Sequence, residues 1–405
     1  MSPSVPSRHP AQPQPVPGVV RALAFTLGVR GPDSAQFRQL GELLTVGDEP
    51  MDRLVEWMYQ VGMRTARPLF EQALAEGIDA LDAPPEPLRQ FFAGIEATPD
   101  WVDEDKLARA ALVMRGLGAD GMYVARDVAL LGGYQFAGFN QTLLRTGALE
   151  KGSNARFAET MQWGLDVASR DGLRHFGTGY RSTLRVRLIH AFVRRHVSGL
   201  PDWRSERWGL PVNQTDMAAT LVGALIVPVV GGLGMGRLLP RADLEAVAHL
   251  TRYTGWLIGV DERFLPTSFA DAVRVLYHTT AALAAADETT RRLAAPMVDD
   301  PLSWHYDRFP QVRRRIARSA HLSVTATVLG PGAMRRLGLS PFVLPWYPLL
   351  RLPINLSRSV AAYALPGGMH RAAARGDREN AVFLRTLTDG HATLGASAEH
   401  LAKSA

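Results

Sequence analysis

The sequence predicts an all-α protein built as one large multi-helix body. Apolar residues recur mostly at three-to-four spacing, with few alternating, strand-like runs. Clusters of proline and glycine punctuate the chain at intervals that suit helix ends. The composition, 46% apolar and 21% charged over 405 residues, is that of a globular chain long enough to bury a sizeable core.

Taken in order, the chain opens on Met1 to Gly18, rich in proline and serine and without an apolar segment. It resembles neither a Sec-type nor a twin-arginine leader, and residues 1–20 are expected to form a disordered tail. Periodic stretches then predict helices over Met51–Glu76, Asp103–Arg115, Met122–Arg145, Asn154–Ser169, Arg174–Val197, Asp216–Val227, Arg241–Gly259, Thr267–Ala286, Gln311–Val328 and Ile354–Ala364. Breaks fall at Pro84-Pro85, Gly147, Gly199 to Pro201, Pro211, Pro266, Pro310, Pro331-Gly332 and Pro366-Gly367-Gly368. No repeat or linker divides the remainder, so residues 21–365 read as a single domain and 366–405 as a helical extension.

Two apolar stretches admit more than one reading. Met217 to Gly236 carries no charge and is long enough to span a bilayer, but Pro228 and four glycines interrupt it. A buried, broken core helix is the expectation, with a membrane or re-entrant segment as the alternative. Phe342 to Leu356, with Pro345, Pro348 and Pro353, suits a surface hairpin that dips into lipid or covers a greasy substrate entrance.

The net charge is +6, from 45 basic and 39 acidic residues, and arginine clusters in Arg181 to Arg207 and Arg308 to Arg318. Solvated helix faces or anionic groups such as phosphates and propionates account for these runs. No nucleic-acid-binding motif accompanies them, so no nucleic-acid partner is expected. The absence of cysteine excludes disulfides, thiolate-ligated or c-type haem, iron–sulfur clusters and cysteine zinc sites. It suits a reducing cytoplasm, with peripheral membrane contact as the reading the apolar stretches leave open.

Familiar motifs fail on context. Gly116-Leu-Gly118-Ala-Asp-Gly121 matches a dinucleotide pattern but follows a predicted helix, so it is expected to be a turn. Glu245 and His249 are four apart and have no counterpart pair, which leaves a di-iron bundle without its ligands.

The informative stretch is Gly177-Thr-Gly-Tyr-Arg-Ser-Thr-Leu-Arg-Val-Arg-Leu-Ile-His190-Ala-Phe-Val-Arg194. On a helix, Arg187, His190 and Arg194 share one face. A histidine flanked by fixed cations suits a bound anion that carries a metal, and haem with its two propionates is such an object. By spacing alone, a helix-face histidine is more often a structural residue.

This stretch resembles the signature of the rubber-oxygenase family, which includes latex clearing proteins and MpaB-like oxygenases. The family pattern is Gly-Tyr followed by Arg-x-Arg-Leu-x-His-Ala-x-x-Arg. Three further blocks resemble the family in order: Arg145-Thr-Gly147, Trp208-Gly-Leu-Pro-Val-Asn-Gln214-Thr-Asp216 with Thr220, and Arg252-Tyr-Thr-Gly-Trp-Leu-Ile-Gly259-Val-Asp-Glu-Arg-Phe-Leu-Pro266. The resemblance is strongest over residues 100–330.

The resemblance implies a globin-like haem-binding core, with haem b (iron) held by His190 as proximal ligand and by Arg187 and Arg194. It implies a haem-dependent oxygenase that uses dioxygen to cleave or oxidise a carbon–carbon double bond in an apolar, isoprenoid or lipid-like substrate. Two other classes stay open: a haem-binding sensor or carrier without turnover, and a cofactor-free, membrane-associated interaction protein.

The family's distal Arg-x-x-Lys-Thr reads Arg156-Phe-Ala-Glu159-Thr160 here. The lysine that can cap the iron in some members is a glutamate, and the carboxylate used as a base in latex clearing proteins falls near Asn140. Glu159 is therefore the expected proton-handling group, the alternative being a simple partner of Arg156 three residues away. Thr160 is expected either to hydrogen-bond dioxygen or to serve helix packing.

Overall fold

In the computed structural model, which describes residues 5–146 and 152–388, every regular element is helical. Five helices precede the long central one: α1 (Gly18–Thr26), α2 (Ser34–Glu42), α3 (Glu49–Val61), α4 (Met63–Glu76) and α5 (Glu86–Glu96). The single helix expected over residues 51–76 is thus two. Gly62 breaks it at φ 88°, a left-handed conformation that glycine adopts without a Cβ clash.

The central helix is α6 (Glu104–Val124), capped by the Asp103 side chain, which accepts from the Lys106 N–H at 3.0 Å. The glycine-rich segment expected to be a turn lies inside it as a kink at Gly118. A π-helical turn follows at Ala125–Leu130, then the short α7 (Leu131–Gly133) and α8 (Ala137–Arg145). The helix expected over residues 122–145 is therefore broken into unlike pieces.

Next come α9 (Ser153–Val167), α10 (Thr178–Ser198), the single-turn α11 (Ser205–Trp208), α12 (Gln214–Leu225), α13 (Val227–Gly234), α14 (Arg241–Leu257) and α15 (Phe269–Ala282). The chain ends in α16 (Glu288–Asp299), α17 (Pro310–Arg336), α18 (Trp346–Ala364) and α19 (Gly368–Thr388). Helix α6 lies at the centre, with α13, α14 and α19 packed along it. The described part of the expected C-terminal extension, α19, thus lies against the core, where Phe383 packs with Phe157 and Trp304.

The charge-free stretch is α12 and α13, broken before Pro228. By length and composition Gln214–Gly234 could cross a membrane, yet 67% of that window is buried inside the protein. Gly231 packs so closely on α6 that a Cβ there would lie 2.6 Å from Val124.

The amino-terminal segment corrects the expectation of a disordered tail from Val5 onward. Ser7 and Arg8 donate backbone N–H bonds of 3.0 Å to the carbonyls of Glu206 and Arg207. The His9 ring packs on Phe37 at 4.4 Å, Val16 is buried, and Arg8 forms a buried ion pair with Asp216 at 2.7 Å. These contacts are long-range, and a proline- and serine-rich composition does not encode them.

Candidate functional site

Helices α9 and α10 form a hairpin whose closed end depends on glycine. A Cβ on Gly177 would meet the Gly172 carbonyl at 2.5 Å, and one on Gly179 would meet the Asp166 carbonyl at 2.6 Å. The two backbones can approach there only because both positions are glycine. Further along, Trp163 Nε1 donates to Thr183 Oγ1 at 3.1 Å and ties the helices together. Beyond that tie lies a cavity of about 310 Å³.

From α9 the cavity is lined by Arg156, Glu159, Thr160 and Trp163, and from α10 by Val186, Ile189, His190 and Val193. Helix α8 contributes Phe139, Thr142 and Leu143, and α12 contributes Asp216, Met217, Thr220, Leu221 and Ala224. A second, strongly apolar cavity of about 270 Å³ shares Phe139, Leu143, Arg156, Thr160, Trp163, Thr220 and Ala224 with it. The two therefore adjoin.

His190 is held by a long, well-formed helix. Helix α10 has no proline, ends on Gly199, and places Arg195 and His196 in its last turn, where cations suit the carbonyl end of the dipole. The imidazole keeps some accessible surface, but that surface faces the cavity and not bulk solvent. Its Nδ1 is buried with no hydrogen-bond partner. Burial pushes its pKa down to about 4, helped by the nearby Arg194 charge and opposed by Asp48. His190 is therefore neutral at pH 7, the form that binds a metal.

The two arginines expected to face propionates have other partners. Arg187 forms a two-point pair with Asp48, at 2.6 and 2.7 Å, and donates to the Leu257 carbonyl at 3.1 Å. Arg194 pairs with Asp52, down to 2.7 Å, and donates to the Val212 carbonyl at 2.8 Å. Neither lines the His190 cavity. A shared helical face aligns Cβ atoms, but these long side chains turn toward carboxylates on α3 and the segment before it.

The remaining blocks of the signature explain this arrangement. A Cβ on Gly259, at φ 83°, would lie 2.4 Å from Asp48 and 2.6 Å from the Arg187 guanidinium. Gln214 donates to the carbonyls of Gly47 and Gly259 at 2.8 and 2.9 Å, and accepts from the Asp261 N–H at 2.8 Å. The motif blocks thus lock the base of α10 in place. Arg145 pairs with Asp202 at 2.9 Å, and Gly147 lies outside the described residues.

The cavity gathers four of the six expected residues: His190, Arg156, Glu159 and Thr160. Arg156 has its Nη1 buried and unpartnered, an uncommitted donor suited to an anionic group. The Thr160 hydroxyl donates to the Arg156 carbonyl at 3.2 Å, the helix-packing role. Asn140 lines neither cavity. It is fully buried and donates to the Tyr134 carbonyl at 2.9 Å and to Thr289 at 3.0 Å.

One cavity residue escaped the sequence reading as a site residue. Asp216 is buried, accepts from Arg8 at 2.7 Å and from Asn213 at 2.9 Å, and leaves its Oδ1 without a partner. It stood in a matching block, yet its exposure to the cavity depends on the Arg8 strap, which no local pattern announces. Among the described residues, no group of three or more His, Cys, Asp or Glu could hold a bare metal ion. A lone neutral histidine, a guanidinium nitrogen without a partner and an apolar wall fit a metal carried in a large, anionic, mostly apolar group such as haem.

Comparison with known proteins bears on the family and the fold. The profile of the family described as ER-bound oxygenase mpaB/B'/rubber oxygenase, catalytic domain, matches residues 122–364. A rubber oxygenase from Streptomyces sp. (strain K30) is 24% identical over 203 residues, covering 49% of this chain and 48% of that protein. The chain therefore spans about half the length of that curated relative. A solved structure of latex clearing protein in the closed state superposes with a TM-score of 0.60 at 20% identity, covering 84% of this chain and 91% of that one. At that identity the likeness speaks to the all-α fold.

Proposed function

The chain belongs to the family of mpaB-type and rubber-oxygenase catalytic domains, and from that premise we propose that it is a haem-b-dependent oxygenase acting on an apolar, isoprenoid or lipid-like substrate. The observation that carries this reading is His190, neutral, its Nδ1 unpartnered, on the wall of a largely apolar cavity. Haem, when bound, supplies dioxygen chemistry that the side chains cannot. In the proposed reaction one carbon–carbon double bond is broken and each carbon receives one oxygen atom of the same dioxygen, so no further oxidant or reductant is needed.

The chain's own residues have separable parts. His190 would hold the haem through a ring nitrogen, and half-buried Arg156, whose Nη1 is buried and unpartnered, would offer a donor to a propionate. Phe139, Leu143, Trp163 and Ala224, shared by both cavities, exclude water and shape the space for an apolar chain. Glu159, on the α9 wall, handles protons, and Asp216 is a second carboxylate on the same cavity.

The test is dioxygen uptake by the haem-loaded protein with a short polyprenyl substrate, alongside identification of carbonyl products. We expect uptake coupled to carbonyl formation, and a Glu159→Gln variant that retains haem but turns over roughly 10²–10⁴ times more slowly. Haem binding without substrate-dependent uptake would replace this reading with that of a sensor or carrier. Equal rates for parent and variant would remove Glu159 from the chemistry.

A further inference from the structure

Helix α18 is amphipathic in the reverse sense for a soluble protein. Its polar side chains face inward. Tyr347, Arg351 and Asn355, four residues apart, converge on the buried Asp120 of α6 at 3.1, 2.8 and 2.9 Å. One turn further, Ser359 accepts from the Leu238 N–H at 3.1 Å. The opposite face carries Leu349, Leu352, Leu356 and Val360, at helical spacing and all exposed. The sequence suggests a hairpin over Phe342 to Leu356; the structure shows instead a loop followed by this helix.

The apolar face continues beyond α18. In the loop before it, Phe342 and Leu344 are 88% and 78% exposed, more than a single stray surface residue would account for. That loop packs back on α17, where Ser323 donates to the Leu344 carbonyl at 2.7 Å. Helix α17 presents Phe309, Val312 and Ile316 along one exposed edge.

The charge of this region has one sign. Between Asp307 and Asp377 the chain holds eleven arginines and no acidic residue. Arg351, Arg358 and Arg318 reach carboxylates on other segments. Arg308, Arg313, Arg315, Arg335, Arg336 and Arg371 are exposed and have no ion-pair partner among the described residues. A second copy of the chain would bring the same arginines into contact with each other. An anionic lipid surface would accept both the leucines and the charges.

We infer that the outward face of α18, with the Phe342–Leu344 loop and the exposed edge of α17, docks the protein on an anionic bilayer. The helix lies in the interfacial plane: its leucines enter the acyl boundary and the arginines meet lipid phosphates. The inference rests on no property of the His190 cavity.

Vesicle flotation of the purified full-length chain tests it, with phosphatidylcholine alone or with about one-third phosphatidylserine. The parent should float with the serine-containing vesicles, bind neutral ones roughly tenfold more weakly, and detach as salt rises. The triple variant Leu349→Glu, Leu352→Glu, Leu356→Glu changes only exposed positions. It should keep its helical circular dichroism and lose binding by tenfold or more, about the loss expected when a buried apolar face becomes charged. The double variant Arg313→Glu, Arg315→Glu should lose the preference for anionic vesicles. Failure of the parent to float, or undiminished flotation of the triple variant, would overturn the inference. So would a parent dimer that the triple variant converts to monomer, because the face would then belong to a second copy.

Discussion

Two deeply enclosed histidines in this protein have opposite surroundings. His321, on α17, gives its Nδ1 to Asp127 at 2.5 Å, lies stacked at 4.1 Å on Tyr123, and meets the edge of Trp304 at 4.9 Å. Asp127 in turn pairs with Arg126 at 2.9 Å. His190 has no hydrogen-bond partner at Nδ1, and its ring lines a cavity. The first is built into a network that holds the π-helical turn to α17. The second is fixed by its helix, and its buried Nδ1 has no partner. Burial lowers the pKa of both, so titration does not distinguish them. Each ring leaves one buried nitrogen without a partner, Nε2 in His321 and Nδ1 in His190; the distinction is in what surrounds the ring, a carboxylate and packed aromatic rings around His321 and an open cavity beside His190.

The comparison can be broken most forcefully at Asp127. It is fully buried between Arg126 and His321, so Asp127→Ala leaves the imidazole without its carboxylate and the buried guanidinium with only Asp300, at 3.4 Å, and the Met297 carbonyl. We expect a loss of about 3–5 kcal/mol in urea unfolding. A loss below about 1 kcal/mol would mean that the network is not structural. The next effect in size concerns Arg156, whose Nη1 is buried without a partner at the cavity wall. Arg156→Met should weaken haem affinity by about tenfold while leaving the unfolding midpoint nearly unchanged. Unaltered affinity would assign Arg156 to packing.

A smaller effect lies in the pH dependence of the haem-free protein. His190 titrates near 6.5 when unfolded and at about 4 when folded, because burial disfavours its cation. Between those values the unfolded chain binds more protons, so stability falls as pH drops from about 6.5 toward 4. Other buried histidines share this direction. His190→Leu should therefore flatten the curve of urea midpoint against pH without abolishing the slope. Parallel curves for parent and variant would place His190 in contact with solvent.

These contrasts also define how far the sequence could be read. Three-to-four periodicity sufficed for an all-α body, because most helices bury one face against the rest of the protein. It failed where backbone conformation decides: Gly62 splits one expected helix, and Gly118 keeps two expected pieces in one kinked helix. His190, Arg156, Glu159 and Thr160 could be brought to one site because the ordered motif blocks fixed their helices. The fates of Arg187 and Arg194 could not be read, since Asp48 and Asp52 lie more than 130 positions away. The same limit hid Asp216, whose orientation depends on Arg8 across 208 positions. Helix α18 shows a third limit. Periodicity reveals that a helix has an apolar face, but only the packed structure shows that the face points outward.

The central claim is that His190 holds the cofactor, and haem titration of the full chain tests it most directly. With the parent, one equivalent should give a saturating Soret band whose spectrum indicates a histidine-ligated b-type haem. His190→Ala should keep its helical circular dichroism and unfold within about 1 kcal/mol of the parent, because the ring's Nδ1 makes no bond to the fold. Its Soret band should not saturate at any comparable haem concentration. A variant that binds one haem as tightly as the parent, with an unchanged spectrum, would contradict the account and require a different ligand.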